Sequence, residues 1–507
     1  MKLGKQMGIG IVLTYVGQFI HILSGLIYTP IMLRLLGQSE YGLFQLVSST
    51  VGYLGIMNLG FGGAYMRFYS QMKMKKDSEN EIASLNGMFL SIFMVLALLA
   101  LGAGTIMIAN IRNIFGTTFT DSEIEKARIL MIFLVFNLAA SFPLTIFDCW
   151  IMAHEQFIFQ KAVVVLQYFL NPFLTLPLLL LGYGSVAMVS VTTGLLLLKC
   201  MANIIFCIKK LHIRFSMKRM QFRLLTEIGE FTFFIFLNQI VDQVNWSLDK
   251  FLLGIYSGTT AVAIYAVAAN LNNMYQQFSN AVPSVFVTKV NLSVARNDKL
   301  TEINKMFYTV GRMQFMVLGL IVSGFIVFGR QFISLWAGDG YSDSYQIALL
   351  LMVPALIPYI QGLGYEIQRA MNKHRVRSVA YFFVAVANLF VSIPCIKMLG
   401  AKGAAFGTAL TFILGHGLFM NWYYHKVIGL NMFVFWGKMR SILFVDTVIV
   451  SLSLLLLKKI VIYSWAGLFA GILLYSLLYV LVMFTFGMNK SERKLVISKV
   501  SDFLSRS

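Results

Sequence analysis

Apolar runs of about 20 residues, the length at which a helix crosses a 30 Å hydrocarbon core, recur along almost the entire chain and leave it no alternative to a membrane fold. They fall at 9–33, 43–66, 86–109, 129–150, 162–182, 185–208, 230–254, 262–287, 306–329, 344–368, 379–396, 403–424, 441–457 and 466–487, fourteen in all. In hydrocarbon every backbone N–H and C=O must be paired within the segment, so these runs predict α-helices. Too little charge remains to coat a water-soluble body: 58% of the 507 residues are hydrophobic and 12% charged, about half the charged share of a soluble domain. The loops hold about 20 residues at most, too few for an extramembrane catalytic domain, and the chain is expected not to be an enzyme.

The 41 Lys and Arg exceed the 21 Asp and Glu, for a net charge of +20. In a soluble protein that excess would suggest nucleic acid, but here it alternates from loop to loop. With the N-terminus inside, 29 basic residues fall in cytoplasmic segments, 9 in external loops, and three (Lys199, Lys250, Arg312) within spans. This bias predicts a multi-pass protein of the cell inner membrane with both termini cytoplasmic, and no nucleic-acid partner. The segment from Lys209 to Glu230 carries six basic residues among Leu, Ile and Phe, as expected of an amphipathic linker along the inner leaflet. Lys2 and Lys5 precede an apolar run with no A-x-A cleavage site, read as the first permanent span. Cys149, Cys200, Cys207 and Cys395 form no metal or CxxC pattern and read as packing residues.

An internal repeat organises the spans. Asn171-Pro172-Phe173-Leu174-Thr175-Leu176-Pro177 runs into Gly182, and Asn388-Leu389-Phe390-Val391-Ser392-Ile393-Pro394 runs into Gly400, an offset of 217 positions. Leu36-Gly37 and Leu253-Gly254 differ by the same 217. A six-span unit repeated in one orientation predicts an all-α polytopic protein of about fourteen transmembrane helices. Two six-helix bundles are related by a pseudo-two-fold axis along the membrane normal, with two extra C-terminal helices. The expected boundaries are 1–208 for the first bundle, 209–229 for the linker, 230–425 for the second bundle, 426–487 for the extra helices and 488–507 for a cytoplasmic tail.

Polar residues within the spans mark where water or a substrate would enter. Asn238, Asp242, Asn245 and Asp249 share one face of the seventh span; Thr14, Gln18, His21 and Tyr28 share one of the first; Asn270, Asn273, Gln277 and Asn280 share one of the eighth. A carboxylate at mid-membrane costs about 2.5–3.5 kcal/mol, so the acidic face should line a hydrated interior. Arg34 and Lys250 end their helices on the outer side, while Arg67 and Arg312 lie toward the inner side. Each either faces that interior or snorkels to the interface. Glu366, Asp148 and Asp446 read as interfacial, with Arg369 as a partner for Glu366, and His21 and His416 read as packing residues. Gly52, Gly55, Gly60, Gly62 and Gly63 interrupt the second span, and Gly403 with Gly407 forms a close-packing face in the twelfth. No P-loop, HExxH or GxSxG motif occurs, so energy for transport would come from a gradient or the membrane potential.

Pro30-Ile31-Met32-Leu33-Arg34-Leu35-Leu36-Gly37 followed by Glu40-Tyr41-Gly42-Leu43-Phe44 resembles the opening signature of bacterial polysaccharide-export flippases. Asp249-Lys250-Phe251-Leu252-Leu253-Gly254 with Ala263-Ile264-Tyr265-Ala266 resembles their mid-chain signature. These proteins belong to the multidrug/oligosaccharidyl-lipid/polysaccharide (MOP) exporter superfamily. The resemblance implies alternating-access transfer of polyprenyl-diphosphate-linked oligosaccharide repeat units to the outer leaflet, for capsule, O-antigen or exopolysaccharide synthesis. It implies Arg34, Arg67, Lys250 and Arg312 as charge contacts in the cavity, and Gln18, Asn245, Trp246, Asn273 and Gln277 as sugar contacts. Asp242 and Asp249 are candidates for ion coupling or charge pairing, with H+ or Na+ as the coupling ion, and no cofactor or metal is implied. Partners would be the lipid-linked glycan, the bilayer, and a glycan polymerase or glycosyltransferases of the same pathway. An ion-coupled multidrug antiporter and a membrane-embedded glycan polymerase or ligase are the competing readings.

Overall fold

The structure, a computed structural model, describes residues 3–74, 79–116, 118–217, 222–296, 299–373, 375–457, 464–490, 492–494 and 497, and those residues form helices and short connections with no strand among them. Among the described residues, twelve helices are long and apolar enough to cross a membrane. Two of them contain a sharp corner. Leu3–Gly52 is broken at Gly37 (φ 75°, ψ 174°), and Phe222–Ala295 is broken at Gly258 (φ 80°, ψ 180°). Positive φ with extended ψ is open essentially to glycine alone, so each corner reverses the chain without a loop. The two breaks resolve first from second and seventh from eighth span. They also correct the register read from Leu36-Gly37 and Leu253-Gly254, because the corner matching Gly37 is Gly258. Gly254 stays inside its helix, where a Cβ would stand 2.3 Å from the Leu46 side chain.

The helices pack into two compact units, Met1–Ala266 and Val267–Ser507. In the first unit the first span lies along Phe157–Leu180, and Glu79–Ala109 packs on Asp121–Ala153, which also meets Gly184–Lys209. The second span unwinds as its glycines predict. It becomes a tighter 3-10 turn over Tyr53–Asn58, passes through left-handed Leu59 and Gly60, and resumes as Phe61–Lys73. Below this turn Tyr65, Phe89, Phe93, Phe142 and Trp150 form a buried aromatic core. Residues 212–217 of the linker are irregular rather than helical. They are pinned across the third span because the Asn86 side chain donates to the Arg214 carbonyl (3.0 Å) and Ser216 N–H donates to the Ala83 carbonyl (2.9 Å).

In the second unit the long helix Leu300–Ala337 is the hub, touched by Asp343–Ile360, Met432–Leu457 and Trp465–Val482. Arg375–Leu399 packs on Ala401–Phe412 so closely that a Cβ on Gly403 would lie 1.9 Å from the Cys395 carbonyl oxygen, and one on Gly407 2.5 Å from Ser392 Oγ. The twelfth span then leaves α geometry twice, as π-helical stretches at Ile413–Phe419 and Tyr424–Ile428. The thirteenth span begins at Met432, nine residues before the apolar run suggests, because Lys438 and Arg440 disguise its first turns.

Candidate functional site

The seventh span carries its polar groups down to the corner at Gly258. Gln243 donates to Ser247 Oγ (2.8 Å) one turn along the same helix, and the next polar side chain in the series is Lys250. The Lys250 ammonium donates to Gln45 Oε1 on the second span (3.1 Å), and the Gln45 amide nitrogen donates onward to the Tyr41 hydroxyl (3.0 Å). Among the described residues no carboxylate pairs with Lys250. A cation whose described partner is a neutral amide keeps its attraction for an anion, the property wanted in a phosphate contact.

Asp249, one residue earlier and therefore about 100° around the helix, points elsewhere. It is 2% exposed and accepts a hydrogen bond from the Tyr265 hydroxyl across the Gly258 corner. Tyr53 stacks edge-on against Phe251 (5.9 Å) on the same stretch. The side chains of Asp242, Asn245 and Trp246 lie outside the described residues.

At the helix ends near the Gly37 and Gly258 corners, a ring of hydrogen bonds draws four connections together within the first unit. Glu40 accepts from the Ser185 backbone N–H (2.6 Å) and hydroxyl (2.8 Å), and its other oxygen meets the Lys126 ammonium at 2.9 Å. Glu123 forms a capping box with Thr120, and its Oε1 accepts from Ser39 (2.6 Å) and Thr259 (2.9 Å). Thr118 donates to the Gly254 carbonyl (2.9 Å). Gly42 permits the closest approach of this set, since a Cβ there would lie 1.9 Å from the Thr259 carbonyl oxygen. Sequence spacing gives no hint of this ring, whose contacts between helices join residues 84 to 220 positions apart.

The remaining candidates separate. Gln18, Arg34 and Arg67 are exposed in the first unit, and Arg67 leans on the Phe68 ring at 6.0 Å. Asn273 is half-buried and Gln277 exposed on the eighth span, whose opposite side buries Asn272 and Ser279. Arg312 is not a cavity cation. It is 5% exposed and binds Glu492 through two nitrogens (2.6 and 3.0 Å), the Gly487 carbonyl (2.8 Å), the Lys438 carbonyl and Ser441 Oγ (3.3 Å). Its charge is spent on fastening the last two spans to the ninth.

Asp148 is likewise engaged, with Lys199 at 3.3 Å and the Asn203 amide at 2.7 Å. Glu366 meets Arg369 at 3.9 Å as the spacing predicts. Asp446 is not interfacial. It stands fourteen residues into Met432–Leu457, about 21 Å along the axis, and its Oδ1 is buried without a hydrogen-bond partner. His21 stacks on Tyr168 (4.8 Å), and His416 Nδ1 bonds the Tyr381 hydroxyl (3.0 Å), both as packing groups. Gln45 and Tyr265 are the residues that sequence reasoning passed over. The one available signal was an amide and a phenol standing in otherwise apolar signature segments.

The profile of the family described as polysaccharide biosynthesis protein matches residues 8–287, more than half of the chain. No curated protein matches the sequence. Among solved structures, the chain is similar to the lipid II flippase MurJ in an inward closed conformation, with a TM-score of 0.73 and 14% identity over 93% of this chain and 98% of that one. It is also similar to an inward-facing multidrug resistance MATE family transporter of the MOP superfamily (TM-score 0.60, 14% identity, 85% and 99% covered). The Vibrio cholerae MATE transporter VcmN in its bent form gives a TM-score of 0.52 at 12% identity, with 84% and 98% covered. At such identities the likeness is one of fold.

Proposed function

Because the chain belongs to the polysaccharide biosynthesis protein family and has the fold of MOP transporters, we propose that it is a flippase carrying polyprenyl-diphosphate-linked oligosaccharide repeat units from the cytoplasmic to the outer leaflet. It works by alternating access in the cell inner membrane with both termini cytoplasmic, serves capsule, O-antigen or exopolysaccharide synthesis, and is not an enzyme. The repeat-based bundles at 1–208 and 230–425 supply the two moving halves.

The observation that carries this reading is Lys250, a cation within a span whose described partner is the Gln45 amide. An intramembrane charge is expensive to keep and in this setting is suited to a diphosphate. Arg34 and Arg67 are the other charge contacts, Gln18, Asn245, Trp246, Asn273 and Gln277 contact sugars, and Asp242 and Asp249 serve ion coupling or charge pairing with H+ or Na+. A polymerase or glycosyltransferases of the pathway would supply and consume the substrate.

The test is a proteoliposome assay that reads protection of a labelled lipid-linked oligosaccharide from an added membrane-impermeant reagent. Wild-type protein should expose the label, Lys250→Gln should slow exposure at least tenfold, and Asp242→Asn should impair it with membrane insertion intact. Exposure by Lys250→Gln at the wild-type rate would remove the residue that carries the proposal. Transport of organic cations in place of the glycolipid would shift the assignment to a multidrug antiporter.

A further inference from the structure

Among the described residues a second cation has no carboxylate partner. Arg377 lies in the first turn of Arg375–Leu399, with its guanidinium carbon 3.8 Å from the Tyr365 ring centre and 4.6 Å from that of Tyr381. The Tyr381 hydroxyl is tied to His416 Nδ1 (3.0 Å), which fixes the ring. Both π-helical stretches of the twelfth span contribute to this corner. The first carries His416 and the second begins with Tyr424, which is 5% exposed and packs against Gly364, where a Cβ would lie 2.9 Å from the ring. π-Helical turns are rare and tend to occur where a helix presents particular side chains.

Among the described residues no carboxylate pairs with Arg377, and its Nη1 is buried with no hydrogen-bond acceptor. The nearest acid in sequence, Glu366, is paired with Arg369. Lys373 and Lys426 add positive charge, and the turn bearing Lys373 is held by two bonds: its ammonium donates to the Val427 carbonyl (3.0 Å), and the Tyr423 hydroxyl donates to the Lys373 carbonyl (2.9 Å). A guanidinium stacked on rings is fixed in orientation, and its unpartnered Nη1 suits an oxyanion oxygen. Beside it on the same helix, Val376, Val379 and Phe383 are 48%, 54% and 65% exposed, an apolar strip next to the cation. A phosphate that carries an acyl or prenyl chain satisfies both features, and free phosphate satisfies one.

We propose that Arg377, with Tyr365, Tyr381 and Tyr424, forms a binding site for the phosphoryl group of a membrane lipid at the end of the tenth to twelfth spans that the charge bias assigns to the cytoplasm. Its residues do not include Lys250, and it does not depend on the transport reading. A phosphoryl lipid has two sources, a resident anionic phospholipid or a polyprenyl phosphate carrier.

The test is native mass spectrometry of the delipidated full-length protein in detergent, with added phosphatidylglycerol, polyprenyl monophosphate or diacylglycerol. Wild-type protein should retain the phosphoryl lipids at least tenfold more than diacylglycerol. Arg377→Gln should abolish that preference, Arg377→Lys and Tyr365→Leu should weaken it, and Arg369→Gln should leave it intact. Phosphatidylglycerol that polyprenyl phosphate fails to displace marks a resident lipid, and displacement marks the carrier; either outcome supports the site. Equal retention of diacylglycerol, or wild-type retention by folded Arg377→Lys and Tyr365→Leu together with Arg377→Gln, would overturn it. Should Arg377→Gln fail to fold, the other two variants decide.

Discussion

Loss of the Glu492 carboxylate should unfasten the last two spans from the rest of the second unit. In the intact protein Arg312 and Glu492 have side-chain exposures of 6% and 5%, and Glu492 also caps its own turn by accepting from the Asn489 N–H (2.8 Å). Glu492→Ala therefore leaves a buried guanidinium with only carbonyls and a serine hydroxyl for company. Stranding one member of a buried pair costs about 3–5 kcal/mol, whereas exchanging both members for apolar groups of similar volume is often neutral or better. At about 2–4 °C per kcal/mol for a unit of this size, the single substitution should lower the melting temperature by about 6–20 °C. The assay is thermal unfolding in detergent of the wild type, Glu492→Met, Arg312→Met and the double variant. The double variant should be more stable than either single one, with a coupling energy of about 2–4 kcal/mol. Additive losses in the cycle would show that the two side chains stabilise independently and would refute the clamp.

Three further outcomes are expected. Glu40→Ala removes both bonds from Ser185 and the Lys126 pair, and at about 1.5–3 kcal/mol for hydrogen bonds to a charged group it should raise protease cleavage in the connections that these bonds hold, read by limited digestion of the purified protein in detergent. Gly87→Ala places a Cβ 2.3 Å from the Ser216 carbonyl, so this linker segment should lift off the third span and a cysteine introduced at Ser216 should label faster with a thiol reagent. Gly403→Val sets a branched side chain against the Cys395 carbonyl at 1.9 Å and should abolish monodisperse expression, measured by fluorescence-detected gel filtration.

Most of the helical layout was legible because twenty apolar residues have one stable conformation in lipid, whatever their neighbours do. What resisted reading was anything decided across the chain. Arg312 looks identical in sequence whether it snorkels, lines a cavity or meets Glu492, because its partner is 180 residues away. The Asp446 depth was misjudged because Lys438 and Arg440, at the start of their helix, resemble a loop to a hydropathy window and cut two turns from the thirteenth span. The match of Lys250-Phe251-Leu252-Leu253-Gly254 to the first-span ending identified the right neighbourhood, but a string of residues does not report which glycine bears the positive φ. Lys250 itself was readable as a charge within a span, while its Gln45 partner on another helix was not.

The two corners at Gly37 and Gly258 have a consequence for mutational tolerance. A backbone at positive φ and fully extended ψ is the mirror image of an ordinary strand residue, so an amino acid of opposite chirality would sit there without strain and no genetically encoded side chain would. A saturating screen of single codons should therefore return only synonymous changes at these two positions, even though nothing touches the missing side chain of Gly37.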